Sequence, residues 1–157
     1  MTTSYRYRLS RVWNPERPQV CWIMLNPSTA TEALDDPTTR RVVGFSRLWG
    51  FGSAVVVNLF ALRSATPEVL ARHPDPVGVD NDASIQRGVA TADRIVVAWG
   101  NHGVTINPTT GTPRHHEIAG LLSHSSSHCL GVTGQGQPRH PLYLPSCTVP
   151  LVFSRPA

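Results

Sequence analysis

Four short runs of apolar and β-branched residues, 20–25, 53–60, 94–99 and 128–132, alternate with segments of helical spacing. Each run is too short for a typical helix and is bounded by turn residues, so each reads as a buried strand. Between them, 37–49 opens after Asp36 as an N-cap with Pro37 at the first helical position. Its apolar Val42, Val43, Phe45 and Leu48 sit near helical spacing. Segments 82–92 and 113–123 are the next two helices. Strands joined through helices pair in parallel, because a parallel connection needs a crossover that covers the sheet. The expected fold is therefore α/β, a three-layer α/β/α domain around a mostly parallel sheet of four to five strands.

A single domain follows from the length, since 157 residues (1–157) bury a sizeable core without disulfides or metals. The arginine-rich start, 5–12, alternates weakly and is a candidate edge strand, and 149–153 reads either as a last strand or as a segment packed along the sheet edge. Segments 66–82 and 101–112 are rich in Pro, Gly, Asn and Thr and read as long surface loops. The three cysteines, Cys21, Cys129 and Cys147, lack C-x-x-C spacing and are expected to be reduced thiols packed in the core. No apolar run approaches the roughly 20 residues of a membrane span, and the start lacks the apolar core of a secretory signal, so a cytoplasmic protein is expected. No histidine set has metal-ligand spacing, including His115 and His116, and neither metal nor cofactor is expected.

The net charge is +4, a moderate basic excess compatible with a polyanionic partner. All 14 basic residues are arginine. A chain without lysine has no side chain able to form a Schiff base.

Ligands of open α/β sheets bind outside the carboxyl ends of the strands. Asn26, Asn58 and Asn101 all fall at or just past such ends, and three amides on one rim make a candidate site even though asparagine is also a common turn former. Asp36 and Asp35 are the nearest carboxylates, with Glu32 a weaker candidate on the same loop. His140 lies in a loop, "GQGQPRHP", rich enough in Gly and Pro to turn backbone N–H groups toward an anion.

Four segments in order, "WIMLNPSTA", "VVVNLFALR", "IVVAWGNHG" and "GQPRHPLYL", resemble a bacterial and phage family catalogued as a domain of unknown function. More distantly they resemble the uracil-DNA glycosylase superfamily, in the order of its strand-end motifs. That resemblance implies a glycosylase-like fold over the single domain. Asn26 then stands where the superfamily positions the hydrolytic water, and Ser28, two residues on, is expected to contact the base. Asn58 stands where the edge of a flipped base is read, with Phe60 close by. His140 stands where negative charge on the departing base is stabilised, Leu142, Tyr143 and Leu144 where a loop wedges into the duplex, and Trp99 and Gly100 at a structural strand end. Phosphate contacts are expected from Arg40, Arg41, Arg63 and Arg139.

The implied activity is a monofunctional DNA glycosylase acting on double-stranded DNA, with no membrane role and no obligate protein partner. The absence of lysine fits hydrolysis without strand nicking, leaving only the α-amino group as an amine. "LNPS" lacks the superfamily's usual glycines and "HPLYL" replaces its serine-proline, departures that favour a modified base over uracil. The favoured substrate is glucosylated hydroxymethylcytosine in phage DNA, in anti-phage defence. Uracil repair, a non-catalytic base-sensing module and a hydrolase of free nucleosides or nucleotides are the alternatives.

Overall fold

The computed structural model describes residues 4–28, 30–31 and 33–153. In chain order the elements are β1 (Leu9–Val12), β2 (Gln19–Met24), α1 (Pro37–Leu48), β3 (Ser53–Asn58), α2 (Glu68–Arg72), α3 (Asn81–Thr91), β4 (Arg94–Val97), a 3₁₀ turn (Asn101–Val104), β5 (Ile106–Asn107), β6 (Thr112–Pro113), α4 (Arg114–Leu121), β7 (His128–Cys129) and β8 (Leu151–Val152).

One six-stranded sheet runs in the order β1-β3-β2-β4-β7-β8, and β5 pairs with β6 in a small hairpin. β3, β2, β4 and β7 are parallel, whereas β1 and β8 close the two edges antiparallel. The sheet is thus one strand larger than the four to five expected, because the two edge segments each contribute a short strand. Its parallel centre is the expected one.

Alternation along β2 builds both cores. Cys21, Ile23 and Leu25 face one side, packed with Leu70, Ile85, Ile118 and Leu122 from α2, α3 and α4 and the turn after α4. Val20, Trp22 and Met24 face the other, under Val42 and Phe45 of α1. A strand buried on both faces reads as a continuous apolar run, which is why 20–25 carried so clear a signal. The Trp22 indole N–H donates to Ser46 Oγ at 3.0 Å, satisfying the one polar atom that a buried tryptophan brings.

Helix α1 starts as its sequence dictates. Asp36 is extended, its Oδ1 accepts the Thr39 N–H at 2.7 Å, and Pro37 occupies the first turn. Three expectations do not hold. Segment 101–112 holds the 3₁₀ turn, β5 and the first residue of β6, a hairpin too short to leave a periodic pattern, and is not a plain loop. Segment 66–82 is not all loop, since α2 lies within it; five residues after Pro67 are too few to make a periodic pattern. Cys21 and Cys129 are buried, but Cys147 is exposed, in the connection between β7 and β8. Burial pushes the Cys21 thiol up to about 12, so it is inert at neutral pH. No helix among the described residues is long and apolar enough to cross a membrane.

Candidate active site at the strand switch point

The chain leaves β2, pairs β3 on one side of it, then crosses to place β4 on the other. Connections leave in opposite directions from this point, and the resulting crevice at the carboxyl ends is where doubly wound sheets bind ligands. A cavity of about 510 Å³ opens there, walled by the residues that follow β2, β3 and β4 and by the loop carrying His140. That volume lies within the range of roughly 300–1,000 Å³ typical of small-molecule sites.

Asn26 is held by its amide. Nδ2 donates toward the carbonyls of Ser64 (2.9 Å), Pro27 (3.1 Å) and Leu62 (3.4 Å). Three carbonyl acceptors fix which branch is nitrogen, and leave Oδ1 as the acceptor on the cavity wall.

Asn58 differs. It is buried at 3% exposure and lines the cavity, yet its carboxamide makes no hydrogen bond with any described residue. Only its backbone is tied, the carbonyl accepting from Asn81 Nδ2 at 2.9 Å. The same Asn81 amide reaches the Leu59 carbonyl at 3.0 Å, where Arg114 Nε also donates at 2.8 Å. Arg114 is fully buried and is neutralised by Asp82 (2.5 Å) and Glu117 (3.5 Å). Two side chains from α3 and α4 therefore clamp the exit of β3 and set the direction of Asn58.

Asp36 borders the same cavity. Burial pushes its carboxyl pKa up, but donors from Ser28 Oγ (2.5 Å), Thr39 and Ala30 outweigh it, and the net result lies below the usual carboxylate range. It is an anion at neutral pH. Ser28 thus lines the cavity while acting on Asp36.

His140 faces these groups across the cavity. Its Nδ1 accepts the Leu142 N–H at 3.1 Å, which puts the proton of the neutral ring on Nε2. Burial holds its pKa below the ordinary value, partly offset by the negative charge of Asp36. The loop that carries it is pinned at several points. Trp99 Nε1 donates to Gln137 Oε1 at 2.9 Å, Gly100 N–H to the Pro138 carbonyl at 2.8 Å, and Arg139 N–H to the Gly131 carbonyl at 2.9 Å. From α1, the Arg41 guanidinium reaches the carbonyls of Pro141 (3.4 Å) and Leu144 while lying over the Phe45 ring. Gly100 takes a φ of +71° to make this turn.

Beyond His140 the loop rises to Tyr143, which is 93% exposed and holds a φ of +70°. A non-glycine residue in that region is uncommon and costs about 1 kcal/mol or more. Leu142 beneath it lines the cavity.

The expected residues divide by position. Asn26, Ser28, Asp36, Asn58, His140 and Leu142 come together around one cavity. Asp35 does not join them: it is outside, its Oδ1 paired with Arg11 Nε at 2.8 Å. Phe60 is fully buried in the core on the α3 and α4 side and is not among the cavity walls. Arg41 supports the loop, Arg139 is exposed with Nε on the Val132 carbonyl at 3.2 Å, Arg40 is exposed on α1, and Arg63 is half-buried. Glu32 lies outside the described residues. Asn101 does line the rim, its Oδ1 accepting from Thr133 at 2.6 Å.

Arg6, Ser64 and His102 also line the cavity and were not anticipated. Arg6 precedes the edge strand and donates to the Ala30 carbonyl, a contact between segments far apart in sequence. The only local signal was an arginine between two tyrosines. No group of three or more His, Cys, Asp or Glu among the described residues is placed to hold a metal.

A domain family described as a protein of unknown function, DUF1643, matches residues 6–142. The chain belongs to that family. The match spans every cavity residue named above, from Arg6 to Leu142. No curated protein and no solved structure matches the chain.

Proposed function

We propose that this DUF1643 protein is a monofunctional DNA glycosylase that hydrolyses the N-glycosidic bond of a modified base, favoured as glucosylated hydroxymethylcytosine in phage DNA. The role would be anti-phage defence, through abasic sites left in the invading DNA. The observation that carries the reading is Asn58, a buried carboxamide that faces the cavity with no partner of its own. Its carboxamide atoms keep some accessible surface and are engaged by no protein group, so the donor and the acceptor are both available to a ligand edge that presents the complementary pair. A nucleobase has such an edge.

The other groups suit the same reaction. As the bond from C1′ to the base breaks, the electron pair leaves with the base and the sugar becomes an oxocarbenium-like cation. His140 Nε2–H donates to the developing anion, and as a neutral ring it does so without first losing a proton. Asp36, ionised beside the cavity, favours the cation electrostatically. Asn26 Oδ1 orients the water that adds to C1′; the water's proton passes to solvent and the base takes one up. Extrusion of the nucleotide leaves a gap that Tyr143, already projecting, would fill with Leu142 at its base.

A cavity of about 510 Å³ has room for an extruded base that carries a substituent. Uracil repair stays the alternative substrate. The test is incubation with glucosylated phage DNA, uracil-containing DNA and unmodified DNA, followed by an abasic-site assay and mass spectrometry of the released base. Abasic sites in the glucosylated DNA alone are expected. Abasic sites in none of the three would overturn the glycosylase reading.

A further inference from the structure

A second groove, of about 460 Å³, lies between α1 and the stretch around Ser146 and Cys147. Its walls are Arg40, Arg41, Gly44, Phe45, Leu48, Ser146 and Cys147. Arg41 joins this groove to the His140 loop, since it lines the groove while donating to the carbonyls of Pro141 and Leu144.

Three observations give the groove a chemistry. The first is charge: neither Arg40 nor Arg41 pairs with a carboxylate among the described residues, Arg40 donating to the Asp35 backbone carbonyl at 3.3 Å and Arg41 to loop carbonyls. The second is an apolar wall, since Leu48 is 64% exposed on a helix whose other apolar residues are mostly covered. The third is Gly44. It sits in the interior of α1 at an ordinary helical φ, and a Cβ built there meets nothing within 4 Å. Glycine in a helix interior destabilises relative to alanine, and neither packing nor a left-handed backbone explains it here. What the missing side chain leaves is open space along the helix.

We propose that this groove binds a nucleotide flanking the extruded one, with its phosphate on Arg40 and its sugar and base against Leu48 and the bare backbone of Gly44. The inference rests on the DNA reading of the cavity. A DNA strand would then pass over the His140 loop, with one nucleotide in the cavity and a flanking one in the groove. A groove that is half cationic and half apolar matches a nucleotide unit, which presents an anion and a flat apolar face a few ångströms apart. A peptide partner would need no such alternation.

The test uses the full chain with a short unmodified duplex, its single strand and the DNA substrate on which the wild type releases a base. Gly44→Leu fills the groove where there is room, so its melting temperature should equal or exceed that of the wild type. Its affinity for DNA should fall about tenfold, the loss of one nucleotide contact. Arg40→Gln should flatten the plot of log affinity against log salt by about one phosphate's worth, a slope change near 0.7–0.9. DNA should also protect Cys147, the exposed thiol at the groove, from alkylation by a maleimide. If the wild type binds DNA and releases a base while both variants keep its affinity and salt slope, the groove assignment is overturned and the cavity reading stands. If the wild type binds no DNA, the groove assignment falls together with the DNA reading; if it binds DNA but DNA leaves Cys147 as reactive as in the free protein, the groove assignment alone falls.

Discussion

The backbone N–H of Leu142 donates to Nδ1 of His140 at 3.1 Å, so the loop itself selects the ring tautomer that carries its proton on Nε2. Nothing else in the loop needs to change for His140 to serve as a donor. Its pKa is held down by burial, against the pull of Asp36, so the neutral donor persists to a pH below the ordinary histidine value of about 6.5. Protonation would put a hydrogen on Nδ1 and break the Leu142 bond.

Two consequences follow for pH. Base release by the wild type should be flat through neutrality, with its acid limb below pH 6.5, measured as single-turnover rate against pH. His140→Ala should lower that rate by about 10²–10³, the effect of losing one donor to a developing anion. An acid limb unmoved in His140→Gln would count against the assignment.

Stability should follow the same direction. His115, His128 and His140 all have pKa values depressed in the fold, each chiefly by burial. A group whose folded pKa is depressed contributes stability that is fully present above its unfolded pKa and is lost as pH falls through the folded value. The melting temperature should therefore be level above about pH 6.5 and decline below it, ahead of the decline expected near pH 4 from carboxylates such as Asp36. His140→Gln should make the first decline shallower, read by thermal melts from pH 4 to 8.

Asn58 offers a sharper separation between folding and function. Its side chain forms no hydrogen bond with a described residue, so Asn58→Ala removes nothing the fold uses and should leave the melting temperature unchanged or higher. The same change should lower kcat/KM by about 10–10², the cost of an unread polar edge of 1–3 kcal/mol. Asn58→Asp, an acceptor only, should retain bases that present an amino group and lose those that present a carbonyl. If Asn58→Ala destabilises the protein while leaving base release intact, Asn58 is a structural residue.

Much of this was legible in the chain, for a local reason. Asn26 directly follows an apolar run, Asn58 interrupts one after three valines and Asn101 stands one residue past one, and such breaks are a property of the local residues. Asp36 as helix cap was legible likewise, from the aspartate-proline pair. What failed depended on tertiary direction. Asp35 and Asp36 are neighbours, yet the cap turns one carboxylate inward and leaves the other to Arg11. Phe60 stands two residues past Asn58, but the strand exit is clamped by Asn81 and Arg114 from distant helices, and the ring goes to the core. That Asn58 lacks a partner, and that Arg6 reaches the cavity, depend on what other segments bring and no window of sequence contains them.

Gly103 tests whether the loop's supports matter at a distance. A Cβ built there lies 2.1 Å from Trp99 Cδ1 and 2.5 Å from its Nε1, so the indole must move if alanine is introduced. Moving it disturbs the 2.9 Å bond to Gln137, one of the ties that hold the His140 loop against β4. Overpacking of this kind costs about 1–3 kcal/mol of stability. Gly103→Ala should therefore melt lower and also show a turnover defect well below saturation of any substrate effect, because a displacement of about 1 Å in a positioning element can cost 10²-fold in rate. Gly120→Ala is the control, since a Cβ there meets nothing within 4 Å and lies in α4, away from the cavity walls. It should raise helix stability by about 0.5–1 kcal/mol and leave turnover alone. Equal turnover in the Gly103 and Gly120 variants, measured at a temperature where both are folded, would show that the Trp99–Gln137 tie does not position His140.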